Sequence, residues 1–140
     1  MKKWYILGVI GLLLGIGLTP SITADILPRV DDNTVNVPPG IIIKYPTPGF
    51  YLFGNKLVNL SIIFIIGAFT IEAGVHSSDE IIERIEFYLD DKLIGEDTEP
   101  PFSCYCAVMH LGKATIKAIA YDLANNSDDD TLDVFYYKFL

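Results

Sequence analysis

Cys104-Tyr105-Cys106, with Met109 and His110 close behind, is the cluster in this 140-residue chain whose donor types suit a soft metal ion. Thiolate, thioether and imidazole favour copper(I) or zinc. A small extracellular metal carrier using Cys104, Cys106 and His110 is therefore one reading. The spacing argues for another. In an extended strand Phe102, Cys104, Cys106 and Val108 fall on one face and Met109 on the other. A buried free cysteine behaves as a small hydrophobe. The expectation is core packing, with no resident metal or other cofactor.

Oxygen donors gather at Ser127-Asp128-Asp129-Asp130, near Asp122 and Asp133. Such a group could hold calcium, but the Asp-x-Asp-x-Asp-Gly spacing of a dedicated loop is missing, so a solvated loop is expected. Asn59-Leu60-Ser61 and Asn125-Asn126-Ser127 both satisfy the N-glycosylation sequon, and Asn125 falls on an expected exposed loop. His76 and His110 are the two histidines, and neither lies in a nucleophile-elbow or zinc-helix pattern. The adjacent acids Asp79/Glu80 and Asp90/Asp91 read as polar faces and turns. A general acid–base pair requires a pocket that shifts one pKa, and no catalytic residue is expected.

The compartment is read from the N-terminus. Met1-Lys2-Lys3 is basic, Trp4 to Leu18 is wholly apolar or glycine, and Ser21-Ile22-Thr23-Ala24 places a small residue before Asp25. That is the order of a secretory signal, with cleavage after Ala24. The 15-residue apolar run is shorter than the roughly 20 residues of a spanning helix. Ile22 is an unusual residue for its place in such a site, so retention as an uncleaved anchor is the alternative. Residues 1–24 are thus a signal or anchor, residues 25–39 a proline- and aspartate-containing linker, and residues 40–140 one domain. An export signal implies the cell envelope or the exterior. The net charge of −8 argues against nucleic acid and against an anionic lipid surface, leaving membrane contact only through the N-terminal segment.

From Gly40 onward short β-type runs alternate with turns. Ile41 to Tyr45 stops at Pro46, Phe50 to Phe53 stops at Gly54-Asn55, and Leu60 to Ile66 reads as a buried strand or interface element. Ala114, Ile116, Ala118 and Ala120 share one face, as do Leu132, Val134 and Tyr136, whereas Phe135, Tyr137 and Phe139 make the last strand apolar on both sides. Period-two alternation marks half-buried strands, and about seven in roughly 100 residues suit a two-sheet sandwich. The segment from Ser77 to Leu89 is ambiguous: Ser77-Ser78-Asp79-Glu80 is a capping box, yet Ile81, Ile85, Phe87 and Leu89 share a strand parity and Asp90-Asp91 resembles a hairpin tip.

Phe69-Thr-Ile-Glu-Ala73, Ile85-Glu-Phe-Tyr-Leu-Asp90, Asp97-Thr-Glu-Pro-Pro-Phe-Ser103, Gly112 to Asp122 and Ala124-Asn-Asn126 together resemble the immunoglobulin-like modules of bacterial and archaeal surface proteins. The resemblance covers Gly49 to the C-terminus. It implies an all-β, two-sheet immunoglobulin-like sandwich, preceded here by the signal helix and linker, and it resolves the ambiguous segment as strand. Asp91 and Asn125 stand where that family has turn glycines, and both residue types tolerate positive φ. The family motif carries no active site.

The function expected is a non-catalytic secreted or cell-surface module for adhesion, scaffolding or protein interaction, its partner an unidentified surface protein or glycan. Phe135, Tyr137 and Phe139 would form a second surface needing a partner, or else cover the Ile41 or Leu60 segment of the same domain. The metal carrier is the second reading. The third is a carbohydrate-binding accessory module acting through surface aromatics such as Tyr105.

Overall fold

The alternating runs become ten strands in the computed structural model, which describes residues 37–76 and 81–140. The signal segment, most of the linker and the capping sequence at 77–80 lie outside the described residues. The strands are β1 (Ile41–Tyr45), β2 (Gly49–Leu52), β3 (Asn55–Val58), β4 (Ile63–Ile66), β5 (Phe69–Val75), β6 (Ile82–Leu89), β7 (Lys92–Asp97), β8 (Ser103–Cys106), β9 (His110–Asp122) and β10 (Ser127–Lys138). No helix occurs among the described residues. The ambiguous segment is strand from Ile82 onward. Ile81 stays exposed because the register with β9 shifts between Ile82 and Arg84.

Two sheets close over one core. The smaller runs β1-β5-β8, and the larger runs β3-β2-β4-β10-β9-β6-β7. β4 lies parallel to both β2 and β10, and the other pairs are antiparallel. The parity expected for β9 holds: Ala114, Ile116, Ala118 and Ala120 point inward and are buried. Three small side chains on that long central strand leave room for the bulky residues facing them. Phe69 of the small sheet meets Tyr136 of the large one edge to face, with ring centroids 5.1 Å apart. The sandwich is also tied at its sides by carboxylates. Asp130 accepts from the Ile43 N–H at 2.8 Å, and Asp97 accepts from the Ser103 N–H at 2.9 Å.

Three turns use positive φ on residues other than glycine. Asp90 and Asp91 (φ 48° and 62°) make the β6–β7 hairpin, and Asn125 (φ 63°) turns β9 into β10, so Asp91 and Asn125 do take up the backbone that glycine would. The β2–β3 turn departs from expectation. It is built on Phe53-Gly54 (φ 48° and 77°), and Asn55 opens β3. Ser127 to Asp130, expected as a loop, is the start of β10, where it pairs with β9 from Tyr121 back to Ala118. Leu60 and Ile62 are exposed, so the expected buried strand at 60–66 shrinks to Ile63–Ile66, with only Ile63 and Ile65 in the core.

The sheet edges are blunted. β3 and β8 have four residues each, β1 carries Lys44 and ends at Pro46, and the pairings of β1, β3 and β7 contain register shifts. Short edges, lysine, proline and bulges discourage addition of a foreign strand.

Candidate binding faces

The parity that buries Tyr51, Ile65, Val134 and Tyr136 turns Phe50, Phe64, Phe135 and Tyr137 outward on the larger sheet. Register then aligns them. Phe50 lies opposite Phe64, Phe64 opposite Phe135, and Tyr51, Ile65 and Tyr136 form the inward row beside them. The outward ring centroids are 5.8 Å apart for Phe50–Phe64, 6.4 Å for Phe64–Phe135 and 5.2 Å for Phe64–Tyr137. At 5.2 Å and an interplanar angle of 25°, two rings cannot lie side by side in one plane; their faces overlap. Leu52 and Ile66 extend the surface opposite Tyr137, and Leu111 continues it across β9 with 65% of its area exposed. Phe135, Tyr137 and Phe64 therefore do meet, but on the outside of the sheet and not over its inner face.

The other half of the same face is charged. Tyr88 donates to Glu86 Oε2 at 2.6 Å, and Arg84 Nε donates to Oε1 at 2.9 Å. The Arg84 guanidinium sits 4.0 Å from the centroid of the Tyr121 ring, and Lys117 bonds Asp91 at 2.9 Å. The hydrogen bond from Tyr88, with the Arg84 contacts behind it, holds the Glu86 carboxyl below the usual range. The same bond pushes the Tyr88 phenol up to about 12. Asp122 is also lowered, by hydrogen bonds from the Asn126 side chain and from the backbone of Asn126 and Ala124, and Asp133 by Lys113 and Thr115. A carboxyl lowered by folding stabilises above its unfolded pKa, about 4, and that contribution is lost as pH falls through the folded value. Melting temperature is thus expected to fall on acidification from about pH 5 to pH 3, and Glu86→Gln should flatten part of the slope. A flat profile across that interval in the parent would refute the assignment.

The remaining candidates scatter. Cys104 and Cys106 are buried free thiols on the inner face of β8, as parity indicated. Burial raises both thiol pKa values. Residues two apart in an extended strand stand about 6.6 Å apart, and a disulfide requires Cβ atoms roughly 3.5–4.5 Å apart, so the two thiols do not bridge each other. His110 lies on β9, stacked on the Tyr136 ring at 5.9 Å and bonded to the Lys113 carbonyl at 3.0 Å, while Met109 is exposed. Among the described residues no three His, Cys, Asp or Glu side chains converge as a metal site. The Tyr136 hydroxyl is buried without a nitrogen or oxygen partner, and its weak neighbour is the Cys106 thiol. Both cysteines are expected to resist iodoacetamide near neutral pH until the domain is unfolded, because only the thiolate reacts. Rapid labelling of the folded chain, read by mass spectrometry, would contradict their burial.

Asp122 spends its carboxylate on the backbone N–H groups of Ala124 and Asn126, both at 2.8 Å, and on Asn126 Nδ2 at 2.7 Å. Asp130 is committed to the Ile43 and Thr131 N–H groups. Asp122 and Asp130 thus serve as a turn cap and an edge cap, and Asp133 pairs with Lys113 and Thr115. Asn59 and Asn125 are both exposed, Asn59 between β3 and β4 and Asn125 in the β9–β10 turn. Tyr105 projects from the outer face of β8, where 69% of it is exposed. Sequence reasoning missed Phe50, Phe64 and Phe53 as surface residues. Their parity was available, but only the pairing of β2, β4 and β10 reveals which parity faces out.

No family model matches the chain, and no curated protein matches it. Among solved structures, it is similar to the fibronectin(III)-like modules of CbhA from Clostridium thermocellum. The identity is 23% and the TM-score 0.56, over 73% of this chain and 48% of that one. It is also similar to the endo-beta-1,4-mannanase from Thermotoga petrophila, at 11% identity and TM-score 0.52, over 76% of this chain and 22% of that one. The chain spans less than half the length of either. What these likenesses carry is architecture: an all-β, two-sheet sandwich similar to a fibronectin(III)-like module.

Proposed function

We propose that this chain is a non-catalytic, exported interaction module that docks a folded partner protein on the aromatic half of its larger sheet. The outward row of Phe50, Phe64, Phe135 and Tyr137 carries the reading. Aromatic side chains that stay outside the core of a soluble domain, contiguous with Leu52, Ile66 and Leu111, form the kind of patch that marks an interface. Its chemistry selects the partner. Among the described residues Lys113 is the one charged side chain in register with the row, and Asp133 neutralises it at 3.1 Å. Phe64 and Tyr137 turn ring faces to each other, which withholds them from stacking on a sugar. The blunted edges speak against strand addition, so the partner meets the face with an apolar surface of its own.

Export rests on the N-terminal order of basic, apolar and small residues, and a signal-less sandwich would have the same fold. The likeness to the fibronectin(III)-like modules of CbhA is compatible with an accessory role beside another domain. The test compares the full chain with Phe64→Ser/Phe135→Ser and with Tyr121→Ser, which alters the charged half alone. Complexes formed with envelope extract should survive the second variant and not the first. Assembly of purified chain into a dimer through the same residues would replace the foreign partner with a second copy.

A further inference from the structure

We propose a second site, for a neutral saccharide, in the cleft between the β2–β3 turn and the outer face of the three-stranded sheet. The cleft encloses about 370 Å³, within the range of roughly 300–1,000 Å³ for small-ligand sites. Phe53 and Tyr105 are its exposed aromatic side chains, and Asn55, Thr70, Glu72 and Tyr45 supply its polar groups. It shares no side chain with the row of Phe50, Phe64, Phe135 and Tyr137.

Phe53 is the observation that singles out this cleft. Its φ of 48° precedes Gly54 at 77°, the backbone of a turn in which Asn-Gly is the favoured pair. The left-handed region brings an L-residue's Cβ close to its own carbonyl oxygen, and a bulky aromatic is uncommon there. The ring offsets little of that crowding by burial, since 70% of the residue remains exposed. The Phe53 N–H donates to the Ile66 carbonyl at 2.8 Å, and the ring rests on Gly67, where a Cβ would come within 2.5 Å of Cδ1. Gly67 has φ 88°, so the backbone there also suits glycine. A strained and exposed ring seated on Gly67 points to a use outside folding.

The polar groups across the cleft have capacity left. Among the described residues the Thr70 hydroxyl and the Glu72 carboxylate make no hydrogen bond or ion pair. Asn55 spends one amide hydrogen on the Phe53 carbonyl at 3.3 Å, and the Tyr45 hydroxyl donates to the Gly54 carbonyl at 2.9 Å and can still accept. A carboxylate, an amide and two hydroxyls offer both donors and acceptors. A pyranose matches that set, because its C–H face packs on an aromatic ring while its hydroxyls both give and receive. Among the described residues no lysine or arginine lines the cleft, and Glu72 would repel a phosphate, sulfate or uronic acid. A neutral sugar follows. An organic cation would also meet a carboxylate and rings, and the experiment separates it.

The test is amide NMR of the isotope-labelled full chain, titrated separately with cellohexaose, mannohexaose, xylohexaose, chitohexaose and choline. At least one hexaose should shift the amides of Asn55, Thr70, Glu72 and Tyr105. Phe53→Asn keeps a residue that tolerates positive φ, so it should melt no lower than the parent while binding at least tenfold more weakly. Tyr105→Ala should weaken binding by a similar factor. The proposal is overturned if none of the four hexaoses shifts those amides. It is overturned as well if binding is indifferent to both substitutions, or if choline binds there and the sugars do not.

Discussion

Phe69→Ala is expected to destabilise the domain by about 3–5 kcal/mol, the usual cost of truncating a wholly buried phenylalanine. Phe69 is 1% exposed and packs edge to face on Tyr136 across the two sheets. Truncation opens a cavity on one sheet and strips a ring contact from the other. A domain of about 100 residues loses roughly 4–8 °C per kcal/mol, so melting should drop by at least about 12 °C. Set beside it, Phe135→Ala removes a ring that is 38% exposed on the outer face and should cost much less. The pair tests the parity of both strands at once, because a one-residue slip exchanges core and surface. Equal losses from the two variants would mean that the two faces have been assigned wrongly.

The second large effect concerns binding. Phe64 touches three other rings, those of Phe50, Phe135 and Tyr137, and so lies at the centre of the outward row. Central, well-packed aromatics dominate interface energetics, often at 2 kcal/mol or more each. Replacing Phe64 and Phe135 together by serine is therefore expected to weaken partner binding by about a hundredfold or more, equivalent to roughly 3 kcal/mol. Both side chains lie outside the core, so the double variant should remain folded by circular dichroism. Tyr121→Ser, four strands from β3 on the charged half, should leave affinity within about threefold. A double variant that binds as the parent does would remove the aromatic row from the account.

Much of the fold was legible because strand parity is a local property. The spacing of Cys104 and Cys106 with Phe102 points both inward, and the resemblance places Asp91 and Asn125 at turn positions whose positive φ their side chains tolerate. What the chain does not display locally is which strands become neighbours. Leu60 to Ile66 reads as a buried run, yet only Ile63 and Ile65 enter the core, because β4 is a strand within the larger sheet, which packs one face on the core and leaves the other open. The acids at 128–130 read as a loop until pairing with β9 draws them into β10. The β2–β3 turn was misplaced by one residue for a specific reason: Gly54-Asn55 has better turn chemistry than Phe53-Gly54, and the structure takes the strained choice. That misfit marks the saccharide cleft. The aromatic row is the same lesson at longer range, since Phe50, Phe64 and Phe135 are separated in sequence and meet only through two parallel pairings.

Photo-crosslinking in intact cells reaches the central claim most directly. A benzophenone amino acid placed at Tyr137 should give a discrete adduct with another protein, and the same probe at Tyr121 should give none. Adducts confined to position 121, or none from 137 while the chain is folded and exported, would contradict docking on the aromatic half of the sheet.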